Sequence, residues 1–161
     1  MANLTDPSIA LRSFQEELLR GTVALKRGVV VPDLYIHWDE PNGEIRLTYV
    51  RLKDRTVTAI VIFARCEPIG GAPCFNIGYA VPEAYRNEGR AKEVVEAAIS
   101  EMRYEAKQNG ISTFYVEAII GIDNKPSQRV AEQVISATPT AVTDHISKLP
   151  AFQYIRKIDI S

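Results

Sequence analysis

A strand, a glycine-bearing turn and a helix follow one another in the middle of this chain, and they limit its folds more than any other feature. Cys74-Phe75-Asn76-Ile77-Gly78-Tyr79-Ala80-Val81 reads as a strand that Pro82 ends. Ala91, Val94, Val95, Ala98, Ile99, Met102 and Ala106 then recur at steps of three and four, as on an amphipathic helix, and Asn109-Gly110 closes it. Between them lies Arg86-Asn87-Glu88-Gly89-Arg90-Ala91. The first turn of a helix has backbone N–H groups without partners, and the aligned peptide dipoles favour negative charge there. Gly89 removes the side chain that would hold a phosphate away from the backbone. The segment predicts an anion cradle for a phosphate or pyrophosphate.

Two common phosphate motifs are excluded. A P-loop needs lysine and a hydroxyl residue after its last glycine, whereas Arg90 and Ala91 follow Gly89. No G-x-G-x-x-G spacing follows a strand candidate, which excludes the dinucleotide fingerprint. What remains is R-x-x-G-x-A at the mouth of a helix. It resembles the Q/R-x-x-G-x-G/A pyrophosphate loop of the GNAT acetyltransferase superfamily, with Arg86, Gly89 and Ala91 at the three fixed positions.

A second segment strengthens the resemblance. After a β-rich run from Ser112 to Ile120, Asp123-Asn124-Lys125-Pro126-Ser127-Gln128-Arg129-Val130 opens another helix. By itself this reads as Asp123 or Asn124 capping a helix with Pro126 in its first turn. At this distance and in this order it also looks like the second half of the family's coenzyme A site, with Asn124 and Ser127 at the matching positions. The resemblance covers residues from about 45 to 135.

The resemblance implies an α/β fold: antiparallel N-terminal strands, a central βαβ whose parallel strands splay at the cofactor site, and helices on both faces of a mixed sheet. It implies acetyl-CoA as co-substrate, held by Tyr79, Ala80, Val81, Arg86, Asn87, Glu88, Gly89, Arg90, Ala91, Asn124 and Ser127. The implied reaction moves an acetyl group to a primary amine by direct attack in a ternary complex. Its acceptor would be a protein N-terminus, a lysine, a small amine or, as in toxin-like relatives, an aminoacyl-tRNA. A homodimer is compatible with it. The thioester carbonyl gains negative charge during attack, so a donor must face it. In this family that is a main-chain N–H on the strand before the loop, here Phe75 to Val81, with Gly78 as the expected bulge.

The family's usual catalytic residues are missing. Asn76 stands where many members have glutamate, and Ala131 stands seven residues after Asn124, where many have tyrosine. Ile135-Ser136-Ala137 replaces the usual Gly-Phe. Glu117, on the strand parallel to Cys74–Val81, is the replacement candidate for the base, and Tyr154 for the acid. Ser127 is a candidate for contact with the thiolate. Tyr85 is placed to lie on the nucleotide or pantetheine, and His37, Trp38, Asp39 and Glu40 to shape an acceptor pocket. A degenerate protein that holds coenzyme A without turnover is the alternative. A nucleotide module of another kind would explain Gly89 but not Asn124 and Ser127.

The bulk properties agree. A length of 161 residues suits one domain spanning 1–161. Nineteen basic and twenty acidic residues give a formal charge of −1, so charge makes no case for nucleic acid or a membrane as partner. No apolar run approaches the roughly 20 residues that span a bilayer, and Met1 to Ser8 lacks a secretory pattern. The expected compartment is the cytoplasm, with Cys66 and Cys74 as free thiols. No Cys/His cluster has metal-ligand spacing.

The rest of the chain reads as a helix over Ile9 to Leu19 with Ile9, Phe14, Leu18 and Leu19 as anchors, and strands at Ile45–Tyr49 and Thr56–Arg65. Gly21 to Val31 reads as a short helix or loop, and the stretch after Val134 as loop up to a last strand from Ala151 to Ile158.

Overall fold

The computed structural model describes residues 6–160. Eight strands form one mixed sheet: β1 (Lys26–Arg27), β2 (Leu34–Asp39), β3 (Arg46–Lys53), β4 (Thr56–Ile69), β5 (Ala72–Ala80), β6 (Thr113–Gly121), β7 (Thr140–Thr143) and β8 (Pro150–Asp159). Their spatial order is β1-β2-β3-β4-β5-β6-β8-β7. Among the described residues only β5 and β6 run parallel; every other neighbouring pair is antiparallel. Helix α1 (Pro7–Arg20) covers one face of the sheet, while α2 (Arg90–Gln108) and α3 (Lys125–Val134) cover the other.

Burial follows this layering. β4 is buried continuously from Val57 to Ala64 because helices lie over both of its faces. That explains its unbroken apolar sequence. β6 alternates instead: Phe114, Val116, Ala118 and Ile120 are buried against α2 and α3, while Tyr115, Glu117 and Ile119 face the α1 side half-exposed. α2 buries Val94, Val95, Ala98, Ile99, Met102 and Ala106, the stripe its sequence predicts. Asn109 caps it, and Gly110 continues at φ 70°.

Several expectations need correction. α1 buries Leu11 and Phe14, whereas Ile9 and Leu19 are 50% and 54% exposed. The antiparallel run has five strands rather than the three read at Ile45–Tyr49, Thr56–Arg65 and Cys74–Val81, because β1 and β2 precede them; β7 forms where a loop was expected. These strands are short or partly charged, and pairing with a long neighbour holds them in place. Gly78 is not a bulge. It pairs in regular register with Ile62, and the shift between β4 and β5 lies between Cys66 and Ile69. Cys66 and Cys74 face each other across β4 and β5 as free thiols. The neighbouring Cys66 thiol and burial push the Cys74 thiol up in pKa.

Candidate active site

β5 and β6 pair over only three residues, Cys74–Tyr115, Phe75–Val116 and Asn76–Glu117, although they continue to Ala80 and Gly121. Beyond Asn76 and Glu117 the strands diverge. Main-chain groups on the facing edges there have no strand partner, while β5 stays paired with β4 as far as Ala80. The wedge-shaped opening thus comes from divergence of the two strands.

The turn at one end of the wedge has the expected conformation. Glu83–Tyr85 form a single 3-10 turn, Asn87 has φ 64°, and Gly89 has φ 74° at the N-cap of α2. Among the described residues no side chain caps that helix end, which leaves its first-turn N–H groups for an anion. A Cβ at Gly89 would meet nothing within 4 Å. The left-handed backbone therefore sets the need for glycine here, and the space above it is open. Arg86 turns back to donate its Nε to the Val81 carbonyl at 3.0 Å. Arg90 stacks 5.0 Å over the Tyr85 ring and reaches Glu88 at 3.3 Å. Both arginines brace the turn. Asn87, Glu88 and Gly89 are exposed on it, and Ala91 is half-buried behind it.

On the far side of the wedge, Asn124 accepts from the Ser127 N–H at 3.3 Å as the N-cap of α3. The capping reading therefore holds in this structure. The Ser127 carbonyl accepts a 2.6 Å hydrogen bond from Tyr79 Oη, which ties β5 to α3 across the opening. Burial pushes the Tyr79 phenol well above its ordinary pKa. Ala80 and Val81 lead from the strand into the turn.

Glu117 lies at the apex. Asn76 Nδ2 donates to its Oε1 at 3.0 Å, and Gln153 Nε2 donates to its Oε2 at 2.9 Å. Two neutral donors thus hold both carboxylate oxygens in place. Sequence reading found Glu117 but not this clamp. Asn76, noted only as the loss of a glutamate, supplies half of it. Tyr154 lies on the other face, its ring 1% exposed in the α2/α3 core and its phenol raised by burial and by Glu132. The two acid–base candidates therefore approach the wedge from opposite sides of the sheet.

A cavity of about 430 Å³ opens on the α1 face. His37 and Asp39 line it with Glu17, Glu44, Arg46 and Thr48. Trp38 is 60% exposed on the opposite face of β2, so the expected His37–Trp38 pairing in one pocket does not occur. Among the described residues, no group of three His, Cys, Asp or Glu side chains is placed to hold a metal ion.

Residues 29–134 match the family model described as an acetyltransferase (GNAT) domain. No curated protein matches the sequence. Among solved structures, the chain resembles the apo form of RimL, a ribosomal L7/L12 alpha-N-protein acetyltransferase. Its TM-score there is 0.58 at 16% identity, over 86% of this chain and 98% of that one. Against RimL in complex with coenzyme A the TM-score is 0.52 at 20% identity, over 72% of this chain and 64% of that one. This chain thus spans less than two thirds of the RimL chain in that complex. A GNAT-family acetyltransferase from Streptococcus pneumoniae gives 0.51 at 12% identity, over 73% and 68%. At these identities the structural likeness is one of fold.

Proposed function

Because the chain belongs to the GNAT acetyltransferase family, we propose that it moves an acetyl group from acetyl-CoA to a primary amine by direct attack within a ternary complex. One observation carries the reading: a wedge between parallel strands with a free helix N-terminus at one end and a clamped carboxylate at its apex. The donor set fits the cofactor. Uncapped N–H groups at α2 suit a pyrophosphate, with Arg86 and Arg90 adding positive charge, and the diverging strand edges suit an amide-containing arm. Tyr79, Ala80, Val81, Asn87, Glu88, Ala91, Asn124 and Ser127 line the same path.

Bound acetyl-CoA supplies an activated acyl thioester. The main-chain N–H groups of β5 beyond Asn76 donate to the oxygen that gains negative charge. Glu117 takes the proton that the acceptor ammonium must lose before it attacks. Asn76 and Gln153 hold that carboxylate in one orientation, which lowers the entropic cost of the encounter. Tyr154, kept protonated by burial, is the proton donor for the leaving group. The acceptor is an amine: a protein N-terminus, as the RimL description names for that protein, a lysine or a small molecule.

Thermal shift with acetyl-CoA, CoA, ATP and NAD tests the cofactor. A ligand at 100 times its Kd stabilises the folded state by about 2.7 kcal/mol. A rise with the coenzyme A compounds alone, followed by thiol release with an amine, supports transfer. No rise with any of them removes the reading. The alternative, a protein that holds coenzyme A without turnover, draws on Asn76 and Ala131 at positions where many members carry acid–base groups. A shift without thiol release across the amine panel selects it.

A further inference from the structure

We propose that Cys66 and Cys74 form a thiol–disulfide exchange site. A low-molecular-weight disulfide converts the two thiols there into a covalent bond between β4 and β5, at the foot of the wedge.

Sheet register brings the two side chains together. Cys66 and Cys74 are direct Cα partners across the antiparallel β4–β5 pair, so they leave the same face of the sheet. Directly opposed residues have Cα atoms about 4.5–5.5 Å apart, inside the roughly 4.4–6.8 Å that a disulfide spans. The ladder is interrupted immediately beyond them. Glu67 and Pro68 stand opposite Pro73 alone before pairing resumes at Ile69 and Ala72. Neither proline can donate a ladder hydrogen bond. A bulge of this kind leaves the two backbones room to adjust as the sulfurs join, which an unbroken ladder would resist.

The two thiols differ as an attacking and a resolving cysteine differ. Cys66 is half-buried between exposed Arg65 and Glu67, whereas Cys74 is 1% exposed. The Cys74 thiol beside it lowers the pKa of Cys66, against burial and the negative charge of Glu117. The thiolate is the form that attacks a disulfide. Cys66 therefore attacks one sulfur of the reagent. The reagent's S–S bond breaks, and the departing thiolate takes a proton from water. Cys74 then gives its proton to water and attacks the Cys66 sulfur, and the second thiolate leaves and is protonated in turn. The protein is oxidised by two electrons, and one small disulfide is reduced to two thiols.

Position ties the pair to the wedge. Cys74 pairs with Tyr115 and, two residues on, Asn76 pairs with Glu117. Residues two apart on a strand share a face and lie about 7 Å apart, so the bond forms one pleat from the carboxylate clamp. It lies on the closed side of that clamp, where β5 still has β6 as a partner. Oxidation therefore fixes β5 to β4 just before β5 leaves β6.

Mass spectrometry of the full, folded chain after incubation with oxidised glutathione at mildly alkaline pH tests the proposal. The chain has two cysteines, so each mass change has one assignment. It should lose two hydrogens, retain no glutathione and regain both thiols with dithiothreitol. Cys74→Ser should retain one glutathione, held on Cys66. In Cys66→Ser the remaining thiol should react at least about tenfold more slowly. A wild-type chain that stays reduced, keeps a glutathione or links to a second chain overturns the proposal. Equal reaction of the two variants overturns the order of attack. Circular dichroism checks that both variants share one fold, and the wild-type mass decides the disulfide even where a variant fails to fold. None of these readings needs turnover, so a chain that transfers no acetyl group can still uphold or overturn this site.

Discussion

Glu101 ties α2 to the connection between β1 and β2. It lies on α2 at 1% exposure, and its Oε1 accepts from the Val30 and Val31 N–H groups at 2.6 and 2.7 Å. These bonds hold the connection from β1 to β2 against the helix. Gly28 makes the approach possible: a Cβ there would lie 2.3 Å from the Val31 carbonyl and 2.5 Å from Glu101 Oε1. Gly28→Ala should cost about 2–3 kcal/mol, from overpacking plus disturbed hydrogen bonds, read as a lower urea midpoint at unchanged m. Glu117 makes the opposite kind of prediction, since its role lies in chemistry. Glu117→Gln should lower kcat about a hundredfold or more while KM for acetyl-CoA changes little, in steady-state assays across pH. An unchanged kcat would move the base elsewhere.

Among the elements, the turn into α2 is set by backbone conformation. Gly89 at φ 74° starts a helix with no side-chain cap, which leaves its N–H groups for a ligand. A left-handed φ costs an L-residue about 1–2 kcal/mol. Gly89→Val should therefore raise KM for acetyl-CoA about tenfold, with the helix signal in circular dichroism retained. A KM unchanged by this variant would place the phosphates elsewhere. The parallel pair shows how one element relationship creates a site. Three paired positions hold β5 and β6 together, and the side-chain bond from Asn76 to Glu117 closes the last of them. Past it, β5 is held by β4 and β6 by β8, so each strand follows its other partner.

For the whole molecule, a sheet covered on both faces raises the phenol pKa of the tyrosines it buries. Tyr49, buried and close to Glu101 and Glu105, and Tyr79, buried beside Tyr154, both have phenol pKa values raised above the unfolded value of about 10. A raised folded pKa leaves this contribution intact below pH 10 and removes it as pH rises, because only the unfolded chain can then ionise. Unfolding free energy should fall with increasing pH above about 10. Replacing Tyr49 and Tyr79 by phenylalanine should flatten that slope in pH-dependent denaturation.

The sequence by itself determined whatever rests on local pattern. The stripe on α2, the glycine turn, the Asn124 cap and the unbroken apolar run of β4 all follow from residue order, and the parallel relation of β5 to β6 follows from the helix between them. The family's loop was legible for the same reason, since its chemistry lies within six consecutive residues. Only the tertiary structure decided where residues distant in sequence meet. β1 and β7 carry too little pattern to be read alone and exist because β2 and β8 pair with them. Glu101 broke its apolar stripe in plain view, but its partners lie some seventy residues earlier. Asn76 and Gln153 meet Glu117 because three strands come together at one point of the sheet. The cavity likewise needs α1 folded back over β2, β3 and β4, a distance no local spacing records. Periodicity reports which side of an element is buried; the approach of two elements depends on packing of the whole chain.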